Sequence, residues 1–143
     1  MEHKDARISS LKFTNYVVDE VNFMTNPKAP KKNIWNLGFD INNVTDVNEE
    51  RNKMKIDLMV SIFEGQEDAP FYMKVKITGY FELVGEDDIN KFEANAIAIM
   101  YPYLRAIVST YTASANVSPV ILPAINVNAM LKNKKEQEEI KKN

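Results

Sequence analysis

The stretch from Phe71 to Leu83 alternates. Phe71, Met73, Val75, Ile77, Phe81 and Leu83 stand on one parity; Tyr72, Lys74, Lys76, Thr78, Tyr80 and Glu82 stand on the other. Period-two alternation of this length belongs to a strand with one buried face. Three more segments carry the same signature. Met54 to Glu64 sets Met54, Ile56, Leu58, Val60 and Ile62 against Lys55, Asp57, Met59, Ser61 and Phe63. Ile34 to Val44 puts Trp35, Leu37, Phe39 and Ile41 on one face. Leu11 to Phe23 has Leu11, Phe13, Val17, Val21 and Phe23 on one parity and Tyr16 and Val18 on the other, so it reads as a strand open to a bulge.

The links set the order. Gly65 to Pro70 is short, so the third and fourth strands should form an antiparallel hairpin. The link from Asn26 to Lys32 is longer and holds Pro27 and Pro30, which suits a crossover. After Gly85 the period changes. Asp87 or Asp88 can cap a helix running to about Ala98, and a main helix is expected from near Pro102, since proline is tolerated in a first turn. Leu104, Ile107, Val108 and Tyr111 form the apolar stripe of that helix. Pro119 and Pro123 hold the next segment extended, and Asn126 is placed to cap a last helix that starts apolar and ends charged. Strands first and helices after imply an α+β fold: a four-stranded antiparallel sheet followed by two main helices. The 143 residues are read as a single domain, 1–143, with a core of about 11–131 and polar tails at 1–10 and 132–143.

Catalysis fails on inventory. There is no cysteine, and the one histidine, His3, lies in the polar N-terminal stretch, so no thiolate or histidine-based site can be assembled. Four glycines form no phosphate-binding loop. The run from Asp40 to Asp46 resembles a calcium loop but has Thr45 and Arg51 where that loop needs glycine and glutamate. No enzyme, cofactor or metal is expected. A net charge of −2 offers nothing to nucleic acid. No apolar run is long enough to span a membrane and no signal peptide is visible, so a cytoplasmic location is expected.

The positive signal is a surplus of apolar residues. Both parities of the first strand are apolar, Met59 and Phe63 take the polar parity of the third, and Tyr72 and Tyr80 that of the fourth. The stretch Tyr101 to Leu131 is nearly all apolar or small. One face can be core; the other calls for a subunit or a ligand.

In order and spacing, these segments resemble the SecB family of protein-export chaperones. Tyr101-Pro102-Tyr103 with Arg105 is similar to the start of that family's long helix. The run from Leu122 to Leu131, with Pro123, Asn126 and Met130, is similar to its proline loop and last helix. Tyr16, Val21-Asn22-Phe23 and the stretch Asn26 to Pro30 resemble its first strand and crossover, and Phe71 to Phe81 its fourth strand. The resemblance covers about Leu11 to Leu131. It implies an ATP-independent holdase, a homotetramer built as a dimer of dimers, that keeps unfolded precursor polypeptides ready for export by the SecA motor. SecB-like chaperones that hold an antitoxin beside its toxin are the alternative role. A structural or adaptor homo-oligomer without clients is the alternative from another class.

The clients of that family lie in grooves of the crossover loop, the last helix and the sheet. The positions implied here are Phe23, Met24, Pro27, Ile34, Trp35, Met59, Phe63, Ile125, Val127 and Met130. Asp19 and Glu20 would supply part of the acidic motor-docking surface, although Met24 and Lys74 stand where the family carries acids. Met73, Val75 and Ile77 on the fourth strand and Leu104, Ile107, Val108 and Tyr111 on the main helix are the expected oligomer interface.

Overall fold

A computed structural model of the chain describes residues 9–31 and 35–142. Two compact units make it up, Met1–Ile89 and Asn90–Asn143. The first is a four-stranded antiparallel sheet of β1 (Ser10–Thr25), β2 (Phe39–Val47), β3 (Lys53–Ile62) and β4 (Phe71–Val84) in the order β1-β4-β3-β2. β3 and β4 form the hairpin expected of the short link. β1 and β2 lie on opposite edges, so the segment between them crosses over, as its length and prolines require.

The buried face is the one the alternation marks. Met54, Ile56, Leu58, Val60 and Ile62 of β3 and Phe71, Met73, Val75, Ile77 and Phe81 of β4 are all buried. β1 departs from simple alternation. Its pairing with β4 shifts register between Phe13 and Asn15 and again between Val18 and Glu20. Each shift is one extra residue, a bulge, and each flips the parity. Leu11, Phe13, Tyr16, Val18, Val21 and Phe23 therefore all stand opposite odd-numbered residues of β4, Leu83 through Met73, on the buried-face side. The mixed parity of β1 is thus largely one apolar face read through two bulges. Val17 and Met24 stay on the other side, opposite Thr78 and Tyr72.

Two expected boundaries are corrected. β2 begins at Phe39, and Trp35 and Leu37 precede it in irregular chain. The reason is tertiary: residues 35–38 are drawn to the hairpin, where the Phe63 N–H donates to the Gly38 carbonyl at 2.7 Å. β3 ends at Ile62, because Phe63 takes a positive φ of 61° that no strand admits.

The second unit holds α1 (Glu93–Ser114) and α2 (Val127–Lys142), with a short 3₁₀ turn, Ile89–Phe92, leading into α1. The expected break at Pro102 is absent: a single helix runs through it. Proline cannot donate to the Ala98 carbonyl one turn back, but Ala98 and Pro102 are both exposed, so water can serve that carbonyl. No side chain caps α1 at Phe92. Asp88 is occupied otherwise, its Oδ1 meeting the Arg51 guanidinium at 3.3 Å, and Asp87 accepts the Asp88 N–H. The last helix is capped as expected: Asn126 Oδ1 accepts the Ala129 N–H at 3.0 Å.

The buried stripe of α1 is Ala96, Ile97, Met100, Tyr101, Leu104, Val108 and Thr112. Extended residues 117–125 run back along it and are tied by side chains. Ser109 Oγ donates to the Val120 carbonyl at 2.9 Å, the Val120 N–H donates to Thr112 Oγ1 at 2.9 Å, and the Tyr101 hydroxyl donates to the Pro123 carbonyl. Val120 and Leu122 are buried by this arrangement. Among the described residues no helix is long and apolar enough to cross a membrane.

Candidate functional site

In the sheet unit, four aromatic rings form a continuous row at the end of the sheet where the crossover leaves β1. Phe23 stacks on Phe71 with centroids 5.1 Å apart, Phe71 meets Phe63 edge-on at 5.2 Å, and Phe63 meets Trp35 edge-on at 6.3 Å. Edge-to-face and offset contacts at these distances add to the area they bury. Phe63 and Phe71 are buried, so they support the row, while Phe23 and Trp35 are half-buried. Phe71 was not among the expected site residues. Nothing in a clean β4 alternation distinguishes it from the rest of the core.

The crossover is held against the hairpin. Asn26 Nδ2 donates to the carbonyls of Glu67 at 3.1 Å and Ala69 at 2.9 Å, and its Oδ1 accepts the Lys28 N–H at 3.1 Å. The Asn26 N–H donates to the Pro70 carbonyl at 3.0 Å and its own carbonyl accepts the Ala29 N–H. The first residue of the expected crossover thus closes the loop end beside the aromatic row. Pro27 is exposed on this loop, and Ile34 lies outside the described residues.

Met24 and Met59 belong elsewhere. By register they stand opposite Tyr72 and Lys76, on the face of the sheet away from the aromatic row. Met24 is 63 % exposed and lines a shallow concavity of about 300 Å³ with Tyr72, Lys74, Ser61 and Glu64. A second concavity on the sheet unit, about 580 Å³, opens near the first bulge between Thr14, Asn15, Lys53, Lys55 and Tyr80, and contains none of the expected site residues. The expected client residues of the sheet unit are therefore divided between its two faces.

In the helical unit, Ile125, Val127 and Met130 are half-buried at the capped start of α2, where the extended segment ends. No residue of α2 is buried, and from Lys135 onward every described position is exposed, Ile140 included. This start of α2 is a small apolar surface set by one N-cap.

The acids expected to dock a motor differ in their surroundings. Asp19 is the extra residue of the second bulge. Its carboxylate meets the buried Thr78 hydroxyl, which also lies 2.7 Å from Asp57 Oδ1. Lys76 Nζ is 3.9 Å from Asp57 Oδ2. Glu20 is exposed opposite Lys76, and Lys74 is exposed opposite Asn22. Cations therefore alternate with acids on this face.

Of the expected interface residues, Met73, Val75, Ile77, Leu104 and Val108 are buried within the chain. Ile107 is half-buried and Tyr111 is 41 % exposed. Beside them α1 presents a face the sequence reading passed over: Asn95, Ile99, Tyr103, Ala106, Thr110 and Ala113 are exposed and carry no charge. The only ionisable carboxylate and guanidinium of the helix, Glu93 and Arg105, are half-buried. The guanidinium lies 6.0 Å from the Tyr101 ring centre, and its Nε is buried without a hydrogen-bond partner. Burial pushes the Tyr101 hydroxyl pKa up, with the Arg105 charge opposing.

Comparison with known proteins bears on this geometry. The family model described as preprotein translocase subunit SecB matches residues 9–138. An uncharacterized protein of Methanocaldococcus jannaschii is 37% identical over 138 residues, covering 91% of this chain and 88% of that protein. The protein-export protein SecB of Saccharophagus degradans is 25% identical over 99 residues, covering 66% of this chain and 59% of that protein. Among solved structures, the fold is similar to the SecB-like chaperone Rv1957 of Mycobacterium tuberculosis, solved with a ChAD peptide from the antitoxin HigA1. The TM-score is 0.60 at 17% identity, covering 85% of this chain and 93% of that one. This likeness establishes the SecB-like fold: a four-stranded antiparallel sheet followed by two helices.

Proposed function

The chain belongs to the SecB family, and on that premise we propose that it is an ATP-independent holdase that keeps unfolded polypeptides from folding or aggregating in the cytoplasm. The family is one of non-enzymatic chaperones. The observation that carries the reading is the aromatic row with its clamped crossover loop: half-buried Phe23 and Trp35 on a base of buried Phe63 and Phe71. A rigid, half-exposed aromatic surface binds apolar side chains without first paying to order itself. It engages an unfolded chain and leaves a native one alone, and mass action then delays folding of the client. Ile125, Val127 and Met130 give the helical unit a second apolar surface, and two weak surfaces on one oligomer act together through avidity.

The proposed oligomer is supported by α1. A 22-residue helix whose exposed face carries no charge is poorly suited to face water. A second copy of the chain covers Ile99, Tyr103 and Tyr111 with Ile107, and a dimer of dimers is the proposed assembly. Tyr103→Glu should lower the mass measured by light scattering. An unchanged mass would remove this part of the proposal.

The holdase is tested with a slow-folding client. Wild-type protein should slow refolding and suppress aggregation, with a change in Trp35 fluorescence. Trp35→Ala with Met130→Ser should weaken binding by roughly ten- to a hundredfold, the equivalent of about 1.4–2.8 kcal/mol. A client that refolds and aggregates as if alone refutes the holdase. Wild-type activity in the variant, with its mass kept, leaves the holdase and refutes the placement.

Export through the SecA motor is the leading role. Glu20 remains presented for docking, and Asp19→Lys with Glu20→Lys should then weaken the motor complex and its salt dependence. The second role, holding an antitoxin, is favoured by Lys74 and Lys76 on the same face and by the contact between Asp19 and Thr78. The likeness in fold to a chaperone solved with an antitoxin peptide agrees with it. No binding to the motor by the wild type would decide for this second role.

A further inference from the structure

Both ends of the crossover between β1 and β2 rest on one loop. At the start, Asn26 bonds the carbonyls of Glu67, Ala69 and Pro70. At the end, the Gly38 carbonyl accepts the Phe63 N–H at 2.7 Å, and Gly38 lies against the side chain of Gln66. All these partners lie between Phe63 and Pro70, the link that joins β3 to β4.

That loop holds a defined shape. Phe63 and Gly65 take positive φ of 61° and 79°. Glycine adopts such angles freely, whereas a buried phenylalanine keeps them only where its surroundings hold it there. The Phe63 carbonyl accepts the Gln66 N–H at 3.2 Å. The Gln66 carbonyl accepts the Ala69 N–H at 3.3 Å and the Tyr72 hydroxyl at 2.5 Å, which ties the loop to β4. The Phe63 ring meets Trp35 on one side and Phe71 on the other.

Gly38 is short of room. Its φ lies outside the left-handed region, so the backbone there admits alanine. The space does not: an added Cβ would overlap Gln66 Oε1 and stand 3.4 Å from Gln66 Cδ. Trp35 precedes Gly38 in the same short irregular stretch. How closely residue 38 approaches the loop therefore bears on where the indole sits over Phe63.

We propose that Gln66 is a positioning residue of the aromatic surface: by lying against Gly38, in the loop that also holds Asn26, it sets the end of the crossover and with it the place of Trp35 over Phe63. Its effect on clients rests on the holdase reading; the placement of Trp35 does not.

Four full-length proteins test it: wild type, Gly38→Ala, Gln66→Ala and the double variant. Gln66→Ala keeps the main-chain bonds of the loop and removes only the amide that faces Gly38. Trp35 is the only tryptophan, so emission reports on it alone. Each single variant should shift that emission. With a slow-folding client, Gly38→Ala should weaken binding about fivefold, and in the Gln66→Ala background the same change should stay within about twofold. The emission shift caused by Gly38→Ala should likewise vanish in that background. A glycine substitution that acts equally in both backgrounds overturns the proposal, and so does a Gln66→Ala protein with wild-type emission. A wild type that binds no client refutes the holdase, and the emission cycle then decides the placement. If circular dichroism shows Gly38→Ala unfolded, the emission of Gln66→Ala decides alone.

Discussion

Thr112→Val tests what holds the extended segment that leads into α2. Thr112 is fully buried; its hydroxyl donates to the Val108 carbonyl at 2.8 Å and accepts the Val120 N–H at 2.9 Å. Valine has nearly the same shape, so the substitution removes a hydroxyl and leaves no cavity. The Val108 carbonyl keeps its place in the helix. The Val120 N–H, buried beneath the segment, loses its acceptor, and an orphaned buried donor costs about 1–3 kcal/mol. Thr112→Ser keeps the acceptor and loses one methyl, a cost of about 1 kcal/mol. The expected order of stability is therefore wild type, then serine, then valine. In a thermal melt at fixed protein concentration the valine variant should fall by roughly 6–8 °C and the serine variant by about half as much, at ~3–4 °C per kcal/mol. Amide exchange should show the Val120 proton released in the valine variant only. A valine variant that melts with or above the serine variant would refute the claim that this N–H is satisfied by Thr112.

Asn26→Ala removes two donated bonds to the hairpin and one accepted from Lys28, all partly open to water, at a cost of about 1 kcal/mol in all. Exchange at Lys28 and Ala29 should rise well before the melting temperature moves, and equal changes across the sheet would contradict a local clamp. Tyr101 has its pKa raised above the ordinary 10.0 by burial. The fold favours the neutral phenol, so this contribution is intact below pH 10 and is lost as pH rises through the folded value. Tyr101→Phe should cost about 1 kcal/mol at neutral pH through the lost bond to Pro123 and flatten the alkaline decline in urea unfolding, whereas an equally steep decline would place its origin elsewhere.

How far the sequence reveals the fold depends on what decides each element. β3 and β4 are central strands with one buried face, so local alternation and tertiary burial agree. β2 keeps the expected parity at Phe39 and Ile41, but its start is set by where the crossover meets the hairpin, a contact between residues 38 and 63 that no local pattern records. Pro102 misleads for a related reason. Propensity places a helix start there, and the exposure of Ala98 that makes an interior proline tolerable exists only in the fold. The site divides likewise. Phe23 and Trp35 are legible as apolar residues of two alternating segments, although Trp35 is expected within a strand and lies before it, while Phe71, which joins them to Phe63, is hidden among core positions. Asn26 reads only as the start of the crossover, and its side chain bonds carbonyls some forty residues away.

The apolar surplus of β1 carries a lesson about inferring partners. Mixed parity looks like two apolar faces, and two such faces would demand a partner on each. Two bulges collect Leu11, Phe13, Tyr16, Val18, Val21 and Phe23 on one face, leaving Val17 and Met24 on the other. The demand for a partner does not disappear; it moves. Val18 at 48 % and Val21 at 36 % remain exposed although they share the side of the buried residues of β4. They lie on an edge strand, where the sheet has no further neighbour to cover them. An apolar side chain on the core side of an edge strand is covered either by a longer sheet or by another chain laid over it. The proposed oligomer supplies such a cover. Parity alone points to a face of the sheet for such a cover; the bulges point to the β1 edge.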